Sequence, residues 1–185
     1  MQHSPNTALT GRGSLSIRGV VDVFQWMAEA VREAEKRYCF TFNPPVAEEV
    51  VAEIETALAL RLPSALRRFL IEHHDGGILF HTQSDQYSPT SFHVYSVSTY
   101  GRQVPYRILE ETLAFREANG KDADGLVIFG YTPGPGAFQL AVDTNTGEVL
   151  DLYGFKRADW PVIASDFEEL LRTMFKNLEN PLYWL

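Results

Sequence analysis

The chain is short of cysteine, of basic charge and of unbroken apolar stretches, and each shortage closes off a class of protein. Its single cysteine, Cys39, leaves no internal disulfide among 185 residues and fits a reducing compartment. Lys and Arg number 16 against 24 Asp and Glu, a formal charge of -8. The clustered cations that displace counterions from a phosphate backbone are therefore missing, and no direct nucleic-acid binding is expected. The same balance favours a basic partner, although acidity of this size also serves solubility. The longest uncharged apolar-looking stretch, Gly125 to Val142, holds Pro133, Pro135 and four glycines and cannot be a membrane helix. The N-terminus has no basic start followed by an apolar run and a small-residue cleavage site, so no secretory signal is expected and the cytoplasm is the expected location.

The residues that would carry chemistry are equally sparse. No Gly-x-Ser-x-Gly occurs, and Cys39 lies in Tyr38-Cys39-Phe40, an apolar, strand-like setting that disfavours the thiolate. Gly134-Pro135-Gly136 has neither a downstream Lys-Ser or Lys-Thr nor a helix opening at its glycines, so it reads as a turn between strands and not as a phosphate cradle. His73-His74-Asp75, with His81 nearby in sequence, is the best candidate for a metal site. Adjacent residues on a helix point about 100° apart, however, so the two histidines do not converge as an i, i+4 pair would. The carboxylate pairs Glu48-Glu49, Glu110-Glu111 and Glu168-Glu169 sit in or near helical turns, where solvation or the helix dipole accounts for them. The 8 Tyr, 12 Phe and 3 Trp lack the interleaved basic residues of a base-stacking platform. No enzyme, cofactor or bound metal is expected.

What the chain does have is the material for one core: 45% of its residues are hydrophobic, and its length suits a single domain. The chain is organised around Glu55 to Gly77. Val50, Val51, Ile54 and Leu58 recur at helical spacing, with Glu48, Glu49, Glu53 and Glu55 as the polar residues between them. Pro63 suits the first position of a second helix, in which Leu62, Leu66, Phe69, Leu70 and His73 share one face. Asp75-Gly76-Gly77 stops that helix and releases the chain into an Ile78-Leu79-Phe80 strand.

Around this run the reading is coarser. Residues 1–18 are expected to be flexible or to form an early edge strand near Leu15 to Ile17, and residues 19–185 to form the domain. A helix is expected over Val20 to Lys36, a short strand at Phe40-Thr41-Phe42, and a break at Asn43-Pro44-Pro45. His81 to Pro89 reads as a polar loop, followed by a strand with Phe92, Val94 and Ser96 alternating with His93, Tyr95 and Val97. Arg107 to Asn119 reads as a helix closed by Gly120, with Leu109, Leu113, Ala114 and Phe115 apolar. Three strands follow, Leu126 to Phe129, Ala137 to Val142 and Glu148 to Tyr153, whose short connections make them antiparallel. The last helix is expected over Ile163 to Leu171, capped by Ser165 with Glu168 and burying Phe167, Leu170, Leu171 and Met174.

Two sets of residues resemble the SUKH superfamily, which includes the yeast cell-wall assembly regulator of the Smi/Knr type and many bacterial immunity proteins. The first set is Glu55, Leu58, Leu62, Pro63, Phe69, Leu70, Gly76 and Gly77, with Asp75 where the family usually has Asn and Leu66 in place of an aromatic. The second is Ile128-Phe129-Gly130, the strand from Phe138 to Asp143, Gly147-Glu148-Val149, and the closing Ile163 to Leu171 segment. The resemblance, covering about Pro45 to Phe175, implies an α+β domain, an antiparallel-rich twisted sheet flanked by helices. It also implies a non-catalytic, cytoplasmic protein-binding module that neutralises a cognate toxin, often a nuclease, or alternatively a regulatory scaffold like the yeast relative. A homodimer is left open. For a basic toxin the binding residues should combine acids with aromatics on loops: Asp85 and Tyr87 in one, Asp122 and Asp124 in another, and Tyr131 and Tyr153 near strand ends.

Overall fold

Alternating and continuous apolar runs along the chain pair into a single antiparallel sheet, every strand lying beside its neighbour in sequence. A computed structural model describes residues 22–34, 38–81, 92–95, 97, 107–132, 138–154 and 156–176. The strands are β1 (Tyr38–Phe42), β2 (Gly77–His81), β3 (Phe92–Val94), β4 (Leu126–Thr132), β5 (Phe138–Asp143), β6 (Val149–Asp151) and β7 (Val162–Ala164). Their spatial order is β1-β2-β3-β4-β5-β6-β7, antiparallel throughout. Helices α1 (Val23–Ala34), α2 (Glu48–Leu58), α3 (Ser64–Arg68), α4 (Ile108–Asn119) and α5 (Phe167–Lys176) complete one α+β domain, as expected. The flexible segment expected over residues 1–18, and the loop carrying Asp85 and Tyr87, lie outside the described residues.

The core sits where helices meet the middle of the sheet. Phe167 of α5 stands edge-on to Phe129 of β4 (centroids 5.3 Å apart) and to Phe69 after α3 (5.4 Å), so one aromatic joins helix, sheet and corner. Phe167, Leu170, Leu171 and Met174 are all buried, as the spacing predicts. On α4 the expected stripe is displaced. Ile108 and Thr112 are the buried residues and Leu113 is exposed, because the helix turns its Ile108–Thr112 face to β4. There the Thr112 hydroxyl accepts the Ile128 N–H at 3.0 Å beside a bulge at Phe129.

The strand alternation expected at Phe92–Val97 is absent, for Phe92, His93, Val94 and Tyr95 are all buried. β3 lies between β2 and β4 in the middle of the sheet, and a strand covered on both faces loses the polar alternation of a half-solvated one. Gly130 of β4 is required by this closeness, since a Cβ there would stand 2.3 Å from the His93 carbonyl oxygen. The C-terminal expectation is also corrected. Ile163 and Ala164 belong to β7, and α5 begins only at Phe167. Its start is held one residue later than predicted: Asp166 accepts the Glu169 N–H (2.8 Å), and the Glu169 carboxylate accepts the Ser165 N–H (2.7 Å).

Candidate functional site

The corner between α2 and α3 turns out to be built around Glu55. Sequence spacing marks it as a polar spacer; it is instead 4% exposed, and its carboxylate accepts the backbone N–H of Leu62 at 2.9 Å and the Arg61 guanidinium at 3.0 Å. The signature glutamate therefore closes the loop that follows α2. That loop leaves the helix through Ala59, a non-glycine residue at φ 54, with Leu60 N–H bonded to the Glu55 carbonyl at 3.1 Å. Arg116 of α4 donates to the Leu58 carbonyl (2.9 Å), satisfying one of the open acceptors at the end of α2. Pro63 precedes α3 as its cap residue with ψ 141, one position earlier than predicted. A shallow cavity of about 370 Å³ beside the corner is lined by Ala52, Glu55, Thr56, Ala59, Leu60 and Arg61.

The helix expected to run unbroken to His73 changes character at Phe69, where Phe69–His73 forms a π turn closed by His74 N–H to the Phe69 carbonyl at 2.8 Å. The wider turn separates the two histidines. His73 stacks on Phe24 of α1 and His74 on Phe42 of β1, each at 4.3 Å between ring centroids. Burial holds both imidazoles below their ordinary pKa, with the Arg68 charge adding to the effect at His73. Among the described residues no three His, Cys, Asp or Glu side chains gather to hold a metal. The His81 side chain lies outside the described residues.

Asp75 is no helix cap. It is fully buried, and its carboxylate accepts the Val97 N–H at 2.7 Å while its carbonyl accepts the Asn43 side-chain amide at 2.9 Å. The Val97 N–H needs an acceptor oxygen, which Asp provides at this position as Asn would. Gly76 beside it has φ +76 and leaves no room for a Cβ, which would stand 2.7 Å from the Val94 carbonyl oxygen.

At the start of β4 a second polar assembly forms from three loops. Asp122 and Asp124 lie on a short 3-10 turn at Gly120–Ala123 and just after it, the first half-buried and the second exposed. The β5–β6 turn folds against them, Thr144 donating through both its N–H (2.8 Å) and its hydroxyl (2.9 Å) to the Gly125 carbonyl. The third loop, residues 152–160, reaches back from β6 and carries Arg157. That guanidinium donates to the Asp122 carbonyl (3.2 Å), to the Asp124 carbonyl (2.6 Å), and to the nearly buried carboxylate of Asp143. The loop is closed on itself by the Trp160 indole N–H, 3.4 Å from the Gly154 carbonyl. It is anchored on α4 by packing of Trp160 on Phe115, with centroids 5.5 Å apart.

Of the residues expected to bind a partner, the structure brings Asp122, Asp124 and the loop of Tyr153 into this one assembly. Tyr153 is 64% exposed, among the most exposed large apolar side chains. Tyr131 stands elsewhere and is buried, its ring stacked on His93 at 4.3 Å. β4 runs on to Thr132, so Tyr131 lies within the ladder and its ring is taken up by core packing. Sequence reasoning missed Arg157, Asp143 and Trp160. The acidic residue ending β5 was visible, but nothing in spacing signals that an arginine 14 residues later returns to it. Nearby Asp151 is also buried, and burial raises its carboxyl above the usual range against one opposing hydrogen bond from the Tyr153 N–H.

A family model described as SMI1 / KNR4 family (SUKH-1) matches residues 45–173. The match runs from just before α2 into α5, includes both the corner and the three-loop assembly, and leaves α1 and β1 outside. No curated protein gives a significant match.

Proposed function

The chain belongs to the SMI1 / KNR4 family (SUKH-1), and from that premise we propose that it is a non-catalytic, cytoplasmic protein-binding domain acting as an immunity protein, which neutralises a basic cognate toxin by covering the toxin's active site. The observation that carries the reading is the surface at the start of β4, where the Asp122 and Asp124 turn is fastened to the loop presenting the exposed Tyr153. Such a surface combines what a tight complex needs. Carboxylates on a chain of net charge -8 steer a basic partner into contact, and an aromatic anchor slows its escape once desolvated. Lys121 and Lys156 are exposed beside these acids, so complementarity is local and not a uniform acidic face. Asp85 and Tyr87 complete the proposed contact residues.

Co-purification with the product of the adjacent gene identifies the partner, and surface-binding kinetics then test the face. Exchanging Asp122 and Asp124 for Asn keeps the backbone carbonyls that hold Arg157 but removes the charges, so association should slow and its salt dependence flatten. Tyr153→Ala should instead speed dissociation. Parental rates for both variants across salt concentrations would place the interface elsewhere, while failure to recover any toxin would favour the alternative reading as a regulatory scaffold.

A further inference from the structure

We propose that the carbonyl oxygens of Asp122 and Asp124, together with the Asp143 carboxylate, form a guanidinium-binding cradle that Arg157 fills from within the chain, so that loop 152–160 is a latch held shut by a side-chain ligand. Three acceptors from two separate turns converge on one guanidinium: one terminal nitrogen serves both carbonyls (3.2 and 2.6 Å) and the other serves the carboxylate. A forked cation answers this arrangement and an ammonium does not, because a lysine brings a single nitrogen to acceptors spread over two donor positions. The cradle exists independently of the loop that fills it. Asp143 is fixed by its own turn, accepting the Asn145 N–H (2.8 Å) and amide (3.2 Å), and Thr144 pins that turn to Gly125.

Arg157 itself is the more exposed member of the pair. Its side chain is 35% exposed against 9% for Asp143, so the cradle opens to solvent along the path the arginine occupies. The loop is also held by the Leu152–Gln139 and Asp151–Pro161 backbone bonds (2.9 and 3.0 Å), the long Trp160–Gly154 bond and the packing of Trp160 on Phe115. These contacts hold its two ends, and Arg157 ties the short turn between them to the Asp122–Asp124 turn. The consequence is that docking of the short Arg157–Asp159 turn on the Asp122–Asp124 turn depends on whether this cradle holds its guanidinium. The cradle stands on these contacts alone and does not depend on the identity of any partner.

The test is an amide NMR titration of the full chain carrying Arg157→Gly, with methylguanidinium chloride as the probe and methylammonium chloride at equal ionic strength as the control. The expected result is saturable shifts at residues 122–125, 143–145 and 153–160 in the variant, moving towards the parental positions, with methylguanidinium only. Equal shifts with methylammonium, no saturation, or a variant spectrum already matching the parent over the loop would overturn the proposal. Arg157→Lys decides the same point by hydrogen exchange if the glycine variant does not fold. Loop amides should exchange about threefold faster than in the parent, the effect of losing one hydrogen bond of a partly exposed cation, and parental protection with lysine would show that a fork is not required.

Discussion

The α2–α3 corner and the three-loop assembly at the start of β4 are both polar constructions laid over the same core, yet they are made from opposite kinds of contact. At the corner most partners are close in sequence, with Glu55 reaching Leu62 seven residues on and His74 closing a turn on Phe69, and Arg116 at the end of α2 is the long-range exception. The apolar side chains around them, Leu58, Leu62, Leu66, Phe69 and Leu70, are buried. In the loop assembly Arg157 joins carbonyls 33 and 35 residues away, and its guanidinium remains partly in water. The corner is thus a unit of folding stability, where removing a group leaves a cavity or an orphaned donor. The loop assembly is a unit of shape, whose exposed ion pair contributes little to stability but fixes how three loops stand together.

Breaking the corner at its apolar centre should have the largest effect. Phe69→Ala is expected to cost about 3 to 5 kcal/mol, as truncating a fully packed aromatic does, and the Phe69–Phe167 edge contact makes part of that loss felt in α5. Chemical denaturation reads it directly, and an unchanged midpoint would remove the corner from the core. Glu55→Ala should come next, at about 1 to 3 kcal/mol, because the buried Leu62 N–H loses its acceptor. The Arg61 side of the interaction adds little, since that arginine is 84% exposed. Glu55→Gln keeps an acceptor and should recover most of the loss, whereas equal damage from Gln and Ala would make the negative charge the essential feature.

Acid should then distinguish the two regions by sign. His73 and His74 have pKa values lowered by burial, so the unfolded chain takes up protons first. Their contribution is complete above the unfolded value of about 6.5 and is lost as pH falls below it. Asp151 beside the loop assembly behaves oppositely. Its raised pKa means that the folded state takes up a proton first, so its penalty is relieved as pH falls through the folded value. Denaturation midpoints measured from pH 7.5 downwards should therefore decline first through the histidines. That early decline should flatten in a His74→Phe variant and persist in Asp151→Asn.

The smallest effect on stability belongs to Arg157→Ala, expected at no more than about 1 kcal/mol for a partly exposed ion pair. The comparison predicts that this variant unfolds almost as the parent does while its loop amides lose protection. A loss as large as that of Phe69→Ala would place the loop assembly in the folding unit and dissolve the distinction between the two regions.

The sequence by itself determined what local physics controls. Apolar spacing set α2, the buried stripe of α5 and the strands β4 to β6, and short connections made those three antiparallel. The break at Asp75-Gly76-Gly77 was visible, although the helix ends before it at an extended His74 and the left-handed Gly76 serves the close approach to Val94. Local pattern could not tell which side of an element meets another. Thr112 and not Leu113 faces the sheet, His93 is buried along with its neighbours, Tyr131 packs inside while Tyr153 stays out, and Glu55 bonds a backbone amide instead of water. Each of these depends on what lies across the interface, and a side chain's cost of burial is settled only when its partner arrives. Arg157 is the extreme case: its three acceptors come from turns that only the assembled sheet brings to one point, so tertiary structure alone decided that the turn of Asp122 and Asp124 and the loop of Tyr153 form a single surface.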